Sequence, residues 1–193
     1  MQGYAARCAL CSAFIGGNGN PVELAKTEAM LRTFARRRGW SEVELQKGII
    51  FLREASAADL PGISRVRTSV RENHLTLDQL AERGISEESI AASLLLNRKG
   101  WVAECDGEVV AFSMADRRNG SIFALFVLPG FEGKGLGTRL LNAAVEWLRQ
   151  NGIERIWLTT ARGTRAARFY RLRGWVCNAE LPNGELYFEL ATA

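Results

Sequence analysis

The chain has 193 residues, of which 47% are hydrophobic and 24% are charged, so it can bury one sizeable core but is too short for two full domains. Its net charge of +4 is placed unevenly: residues 1–47 hold 7 of the 25 Lys and Arg residues but only 4 of the 21 Asp and Glu residues. The remainder is therefore close to neutral, which argues against a nucleic-acid-binding domain.

The first 47 residues form a predicted N-terminal extension, and the main domain is predicted over residues 48–193. Cys8 and Cys11 form a CxxC pair, but neither a second CxxC nor a paired His follows, so we expect no metal site. The apolar stretch Cys8–Gly17 is too short to span a bilayer and lacks a signal-peptide cleavage site. Four cysteines without a disulfide-rich pattern favour a reduced, cytoplasmic protein without a membrane anchor.

One helix is predicted within the extension, at residues 21–38. Pro21 stands at its start, Gly39 follows its end, and the positive charges of Arg36–Arg38 suit the negative end of the helix dipole. The three arginines could instead belong to a nucleic-acid-binding arm, but charge runs are usually solvated faces. We therefore expect no nucleic-acid partner.

Strand-like and helix-like segments alternate from residue 48 onward. Periodicity predicts a strand at Ile49–Ala55 and helices at Ala57–Asn73 and Ser86–Asn97, separated by a polar loop. Three strands follow, and the dipeptide Asp106-Gly107 between the first two is a strong hairpin signal. These strands are predicted at Trp101–Cys105, Glu108–Asp116 and Ser121–Pro129.

The remaining elements complete the predicted fold. A long helix ends at Asn151, a strand covers Glu154–Thr160, and a further helix is ended by Gly174. The last strand is predicted at Glu185–Leu190. This order predicts an α/β fold, with an α+β mixed sheet flanked by helices on both faces.

A glycine-rich turn, "GFEGKGLGTRLL" at Gly130–Leu141, leads from a strand into the long helix. Backbone N–H groups at such a turn and at the helix N-terminus suit phosphate. A Walker A loop is excluded because Leu136-Gly137 stand where Lys-Ser/Thr would follow. A dinucleotide fingerprint is excluded because the glycines fall as Gly-x-Gly-x-Gly, after an antiparallel meander.

The turn resembles the acyl-CoA loop of the GNAT superfamily of N-acetyltransferases, whose usual form is Gln/Arg-x-x-Gly-x-Gly/Ala. Here the sequence from Glu132 to Gly137 reads E-G-K-G-L-G, and the hydroxyl of Thr138 follows. Glu132 departs from the family's Gln or Arg. Since a carboxylate would not help to bind pyrophosphate, its side chain is expected to turn away while its backbone serves.

Three other segments support the resemblance, which covers about residues 48–190. Leu52–Ile63 resembles the family's first strand and helix entry, and Phe123–Pro129 its bulged, splayed central strand. Gly163–Trp175 resembles a later helical motif, although Gly163 stands where Asn is common. The resemblance implies a GNAT-type acyl-CoA N-acyltransferase fold.

The resemblance also implies transfer of an acetyl group from acetyl-CoA, as cosubstrate, to a primary amine of a small molecule or peptide. The alternative is a non-catalytic acyl-CoA-binding module that acts as a sensor or scaffold. The identity of the acceptor is left open, and the final strand could pair across a homodimer. The residues expected to bind the cosubstrate are Leu125, Phe126, Val127, Glu132, Gly133, Lys134, Gly135, Leu136, Gly137, Thr138, Gly163, Arg168 and Tyr170.

Tyr170 matches the family tyrosine that donates a proton or hydrogen bond to the coenzyme A sulfur, and the Val127 N–H is the candidate for polarising the thioester carbonyl. Glu72 and His74, in the loop after the first helix, are the candidates for the general base. Glu104, or a water relay that needs no particular side chain, is the alternative.

Overall fold

The computed structural model of the protein describes residues 50–72, 74–94 and 96–190. Its strands are β1 Ile50–Glu54, β2 Arg98–Cys105, β3 Glu108–Asp116, β4 Ser121–Val127, β5 Trp157–Ala161, β6 Trp175–Glu180 and β7 Glu185–Leu190. Its helices are α1 Leu60–Ser69, preceded by a 3-10 turn at Ala57–Asp59, α2 Leu77–Glu82, α3 Glu87–Leu94, α4 Leu136–Gln150 and α5 Arg165–Arg171.

The seven strands form one mixed sheet in the order β1-β2-β3-β4-β5-β7-β6. The pairs β2/β3, β3/β4, β5/β7 and β6/β7 are antiparallel, whereas β4 and β5 are parallel. The parallel pair meets at a single register position, Ser121 opposite Trp157. Beyond that position the two strands diverge, so the sheet opens between their C-terminal ends.

Helices cover both faces of the sheet, as the sequence predicts. Alternate side chains of β3 point to opposite faces: Phe112 and Met114 pack into a buried cluster with Ile63 of α1. On the other face, the Ser113 hydroxyl donates a hydrogen bond of 3.1 Å to the Leu140 carbonyl oxygen of α4. We refer to these as the α1 face and the α4 face of the sheet.

The structure corrects the sequence interpretation between α1 and α3. The stretch from Arg71 to Asp78, predicted as loop, runs into an additional helix, α2. Thr76 starts this helix with a capping box, in which its hydroxyl accepts from the Gln79 N–H at 3.2 Å and the Gln79 side chain accepts from the Thr76 N–H at 3.0 Å. Asp78 is therefore a helical residue in the first turn of α2.

The predicted features of residues 1–47 lie outside the described residues. This holds for the helix at 21–38, for Arg36–Arg38 and for the Cys8–Cys11 pair, and all of them stay predictions. No helix in the described ranges is long and apolar enough to cross a membrane.

Asp116 connects two arginines at the end of β3, and its side chain is 3% exposed. The carboxylate accepts from Arg98 Nε at 2.9 Å and from Arg118 Nη2 at 2.6 Å. The Arg118 and Arg98 guanidinium groups hold the pKa of Asp116 far below its usual range. The carboxylate is thus ionised whenever the protein is folded under ordinary conditions.

We expect Asp116→Asn to lower the free energy of unfolding by about 2 kcal/mol at neutral pH, because two charge-assisted hydrogen bonds are lost. Since folding lowers the pKa of Asp116, its stabilisation is complete above the unfolded-state pKa of about 3.9 and declines as the pH falls below it. Urea unfolding at neutral and acidic pH should therefore show the two proteins converging in acid. Asp106→Asn, in the exposed hairpin turn, is the control; an equal loss there would contradict the prediction.

Candidate active site

A cavity of about 560 Å³ lies where β4 and β5 diverge. Its walls come from the C-terminal end of α1, from β4, from the glycine-rich turn with the start of α4, from β5 and from α5. Among the residues expected to bind the cosubstrate, those that line it are Leu125, Phe126, Val127, Glu132, Gly133, Gly135, Leu136, Gly137, Thr138 and Tyr170.

Backbone groups of β4 face the gap between the strands. The Leu128 N–H donates to the Val110 carbonyl oxygen of β3 at 2.8 Å. Because backbone groups alternate in direction along an antiparallel strand, and Val127 is opposite Ala111, the N–H groups of Val127 and Leu125 point away from β3 and towards β5. A bulge at Phe123 bends the same strand. The main chain of β4 can therefore pair with an extended ligand in the gap.

The glycine-rich turn brings the N-terminus of α4 to the cavity. Gly135, the residue before the helix, has a φ of +80°, and Gly133 has a φ of +72°, values that residues with a Cβ rarely adopt. Gly137 has a different requirement: a Cβ there would lie 3.3 Å from the Phe169 ring. The first turn of α4 thus exposes its N–H groups, which favour an anion.

The positively charged side chain of Arg173 lies beside this turn. Its guanidinium lies 3.7 Å from the centroid of the Phe169 ring and donates through Nε to the Thr138 hydroxyl oxygen at 2.9 Å. A second nitrogen, Nη2, also donates to Thr138. Arg173 lines the cavity and is held in place by an aromatic ring and a helix-start hydroxyl. This geometry adds a fixed positive charge to the anion-binding end of the cavity.

Glu132 turns its carboxylate to a neighbouring arginine. Arg165, the first residue of α5, donates to both carboxylate oxygens of Glu132 at 2.7 Å. This bidentate ion pair lowers the pKa of Glu132. Arg165 also meets Glu72, whose carboxylate accepts from the Arg165 backbone N–H at 3.0 Å. One arginine therefore joins the glycine-rich turn to the loop after α1.

Tyr170 lies on α5 and is 6% exposed. Its ring packs between Phe169, Trp175 and Phe188, with centroids 5.2 to 5.9 Å away. Burial raises the pKa of Tyr170 well above its usual range, because the phenolate would lose its hydration. The hydroxyl therefore keeps its proton at physiological pH and reaches a cavity into which it can donate.

Several predicted site residues lie outside the cavity lining. Gly163 and the exposed Arg168 and His74 are not lining residues, and Lys134 places its ammonium 4.4 Å from the centroid of the Phe131 ring. Glu104, the alternative base, accepts hydrogen bonds from Arg53 at 2.7 and 3.0 Å. Of the residues expected to act in catalysis, Tyr170 and Glu72 line the cavity.

The cavity also has lining residues that sequence reasoning misses. Sequence reasoning gives no binding role to Arg173, which stands three residues after Tyr170. The others are distant in sequence from the glycine-rich turn and carry no motif. They include Thr159, Thr160 and Glu185.

Comparisons with known proteins agree with this architecture. The acetyltransferase (GNAT) family matches residues 65–175. The chain is 26% identical over 154 residues to an amino-acid acetyltransferase of Pseudomonas syringae pv. syringae. The aligned region covers 80% of this chain and 34% of the relative. The chain thus spans about a third of the length of these curated amino-acid acetyltransferases.

Solved structures share the fold. The PaiA N-acetyltransferase of Thermoplasma acidophilum, in complex with coenzyme A, superposes with a TM-score of 0.64 at 17% identity, over 72% of this chain and 97% of that one. YncA of Salmonella typhimurium, with its cofactor acetyl-CoA, gives a TM-score of 0.60 at 21% identity, over 75% and 94%. The predicted GNAT-type fold is confirmed.

Proposed function

Because the chain belongs to the acetyltransferase (GNAT) family, we propose that it transfers the acetyl group of acetyl-CoA to a primary amine of a small molecule or peptide. The observation that carries the proposal is the cavity itself, which connects an anion-binding turn to a buried tyrosine through a gap in the sheet. The neighbours solved with coenzyme A and acetyl-CoA support the choice of donor.

The chain's residues fit the parts of acetyl-CoA in order along the cavity. Gly133, Gly135 and the first turn of α4 would hold the pyrophosphate, together with the guanidinium of Arg173. The exposed N–H groups of Leu125 and Val127 would pair with the amide-containing arm. Acetyl-CoA would supply an activated thioester, whose carbonyl oxygen the Val127 N–H is placed to polarise.

Tyr170 would then protonate the departing sulfur, since burial keeps its hydroxyl neutral. An alternative function, binding of acyl-CoA without transfer, has no use for a proton donor inside the cavity. The presence of Tyr170 in the cavity lining therefore favours the enzyme over the sensor or scaffold.

The acceptor amine is less well defined than the acetyl donor. The relatives named amino-acid acetyltransferases make free amino acids the first class of acceptor to test, ahead of peptide N-termini and other small amines. A cytoplasmic location and a homodimer are further proposals. The expectation that the final strand pairs across the dimer is wrong, because β5 and β6 already pair with both edges of β7.

The full chain should release coenzyme A thiol from acetyl-CoA in the presence of an acceptor from a panel of amino acids, small amines and peptides. Release should depend on the amine, and mass spectrometry should detect the acetylated product. Binding of acetyl-CoA without turnover on any amine would favour the non-catalytic module. Failure to bind acetyl-CoA at all would contradict both functions.

We expect Arg173→Gln to raise the Kd for acetyl-CoA about tenfold, since it loses one charge-assisted contact worth about 1.4 kcal/mol. Arg168→Gln is the matched control, because Arg168 is exposed on α5, five residues before Arg173, and does not line the cavity. Titration calorimetry with acetyl-CoA measures both. If the Arg173 variant and the wild-type protein bind acetyl-CoA with equal affinity, Arg173 does not bind the phosphates.

A further inference from the structure

We propose that Glu185, the first residue of β7, binds the acceptor amine and takes its proton as the general base. The inference rests on the proposed acetyl transfer and assigns a residue to the acceptor side of that reaction, for which no base has been identified. It starts from the carboxylates of the cavity. The described lining residues include three: Glu72, Glu132 and Glu185.

Two of these carboxylates already have a cationic partner. Glu132 forms its bidentate pair with Arg165, and Glu72 lies 3.4 Å from the Nε of the same arginine while accepting from its backbone N–H. The carboxylate oxygens of both residues thus already accept hydrogen bonds from the protein. An amine would have to compete with Arg165 for either of them.

Glu185 differs from the other two carboxylates. Its side chain is half-buried and accepts a hydrogen bond of 3.3 Å from the Asn183 side-chain amide. Across the described part of the chain, no Lys, Arg or His forms an ion pair with it. It is therefore a carboxylate within the cavity whose charge is left for a cationic ligand.

The register of the strands places Glu185 on the α1 face of the sheet. Leu186 and Phe188 of β7 are buried, and the Phe188 ring lies 5.9 Å from that of Tyr170 on α5. Because side chains alternate across a strand, Glu185 points to the opposite face from Tyr170. The two residues thus border the same cavity from opposite sides of the sheet.

The α1 face is also the face where a separate acceptor could enter. The glycine-rich turn, Arg173 and Tyr170 occupy the α4 face, since Gly137 of α4 packs against Phe169 of α5. On the α1 side the cavity is bordered by Val70 and Arg71, at the end of α1. The donor would therefore fill one side of the gap and leave the other side, with Glu185, to the amine.

Acyl transfer to an amine uses a base for the attacking nitrogen and an acid for the departing sulfur, and Glu185 and Tyr170 are placed to supply them from opposite sides of the cavity. An amino group with a pKa of about 8 to 10 is largely protonated at neutral pH and must lose a proton before it can attack. Glu185 takes that proton, and the freed nitrogen lone pair forms the C–N bond at the thioester carbonyl carbon. The C–S bond breaks, its electron pair leaves with sulfur, and sulfur takes the Tyr170 proton. The second proton of the nitrogen returns, through solvent, to the phenolate, and Glu185 releases its own to water.

The test is Glu185→Gln in the full chain, which preserves the shape of the side chain and removes its charge. We expect kcat with the best acceptor to fall about 100-fold and the Kd for acetyl-CoA to stay within about twofold of wild type. Glu180→Gln is the matched control: Glu180 is exposed on the neighbouring strand and outside the cavity. Its kcat should be unchanged.

Chemical rescue separates a proton-transfer role from a structural one. In Glu185→Ala, added formate should restore part of the lost rate, because a small carboxylate can enter the space that the side chain leaves. Formate should not accelerate the wild-type protein or Glu180→Ala. A wild-type enzyme that turns over while Glu185→Gln retains full kcat would overturn the inference and leave the proposed function intact. A loss of rate seen only in Glu72→Gln would assign the base to that residue instead.

Discussion

Tyr170→Phe is expected to lower kcat for acetyl transfer about 100-fold, because the departing sulfur loses its proton donor. The substitution removes a single oxygen and keeps the ring contacts with Trp175 and Phe188. The Kd for acetyl-CoA and the unfolding temperature should therefore remain close to wild type. Since burial raises the pKa of Tyr170, the wild-type rate should show no decline from loss of this proton as the pH approaches the usual tyrosine pKa of about 10.

Tyr187→Phe provides the control for a lost tyrosine hydroxyl. Tyr187 lies on β7, donates to Glu189 at 2.9 Å and is not among the residues that line the cavity. Its removal should change kcat by less than about twofold. If both variants lose rate equally, or if Tyr170→Phe turns over like wild type, Tyr170 is not the proton donor.

Gly135→Ala is expected to raise the Kd for acetyl-CoA about tenfold, which corresponds to about 1.4 kcal/mol. At a φ of +80°, a Cβ adds strain of about 1 to 2 kcal/mol. The turn can relieve this strain by moving to negative φ, and ligand binding must then restore the original conformation. Fluorescence or calorimetric titration with acetyl-CoA measures the change.

Gly152→Ala separates strain from binding. Gly152 follows the end of α4 and has a φ of +76°, and a Cβ added there, as at Gly135, would meet no atom within 4 Å. Both substitutions should therefore lower the free energy of unfolding by a similar amount, about 1 kcal/mol. Only the change at Gly135 should weaken acetyl-CoA binding; a similar loss of affinity in both variants would indicate a general effect of stability.

The fold is largely predictable because its main elements carry strong local signals. β3 and β7 match their predicted bounds, since an Asp-Gly turn and a Pro-Asn-Gly turn delimit them. The end of α4 is predicted to within one residue, because one apolar stripe and Gly152 define it. By contrast, the sequence interpretation misses α2: this helix has six residues, and its capping box is a weak signal beside the polar stretch that precedes it.

The candidate site is predictable only where residues form a contiguous motif. The glycine-rich turn and Tyr170 are identified in this way, and both line the cavity. The Arg165–Glu72 hydrogen bond spans 93 residues of sequence, and the position of Glu185 depends on the pairing of β7 with β5. Such relations follow from tertiary structure, and a single sequence carries no local pattern for them.

The position of β7 constrains the order in which the strands can pair during synthesis of the chain. This strand follows β6 in the sequence but lies between β5 and β6 in the sheet. During synthesis, β5 consequently has an unpaired edge until residues 185–190 have left the ribosome, and exposed edges invite association with other chains. Because Phe188 also packs against Tyr170, the proposed proton donor acquires its buried surroundings only when this strand inserts. Pairing of β7 with β5 and burial of the Tyr170 ring against Phe188 therefore depend on the same strand.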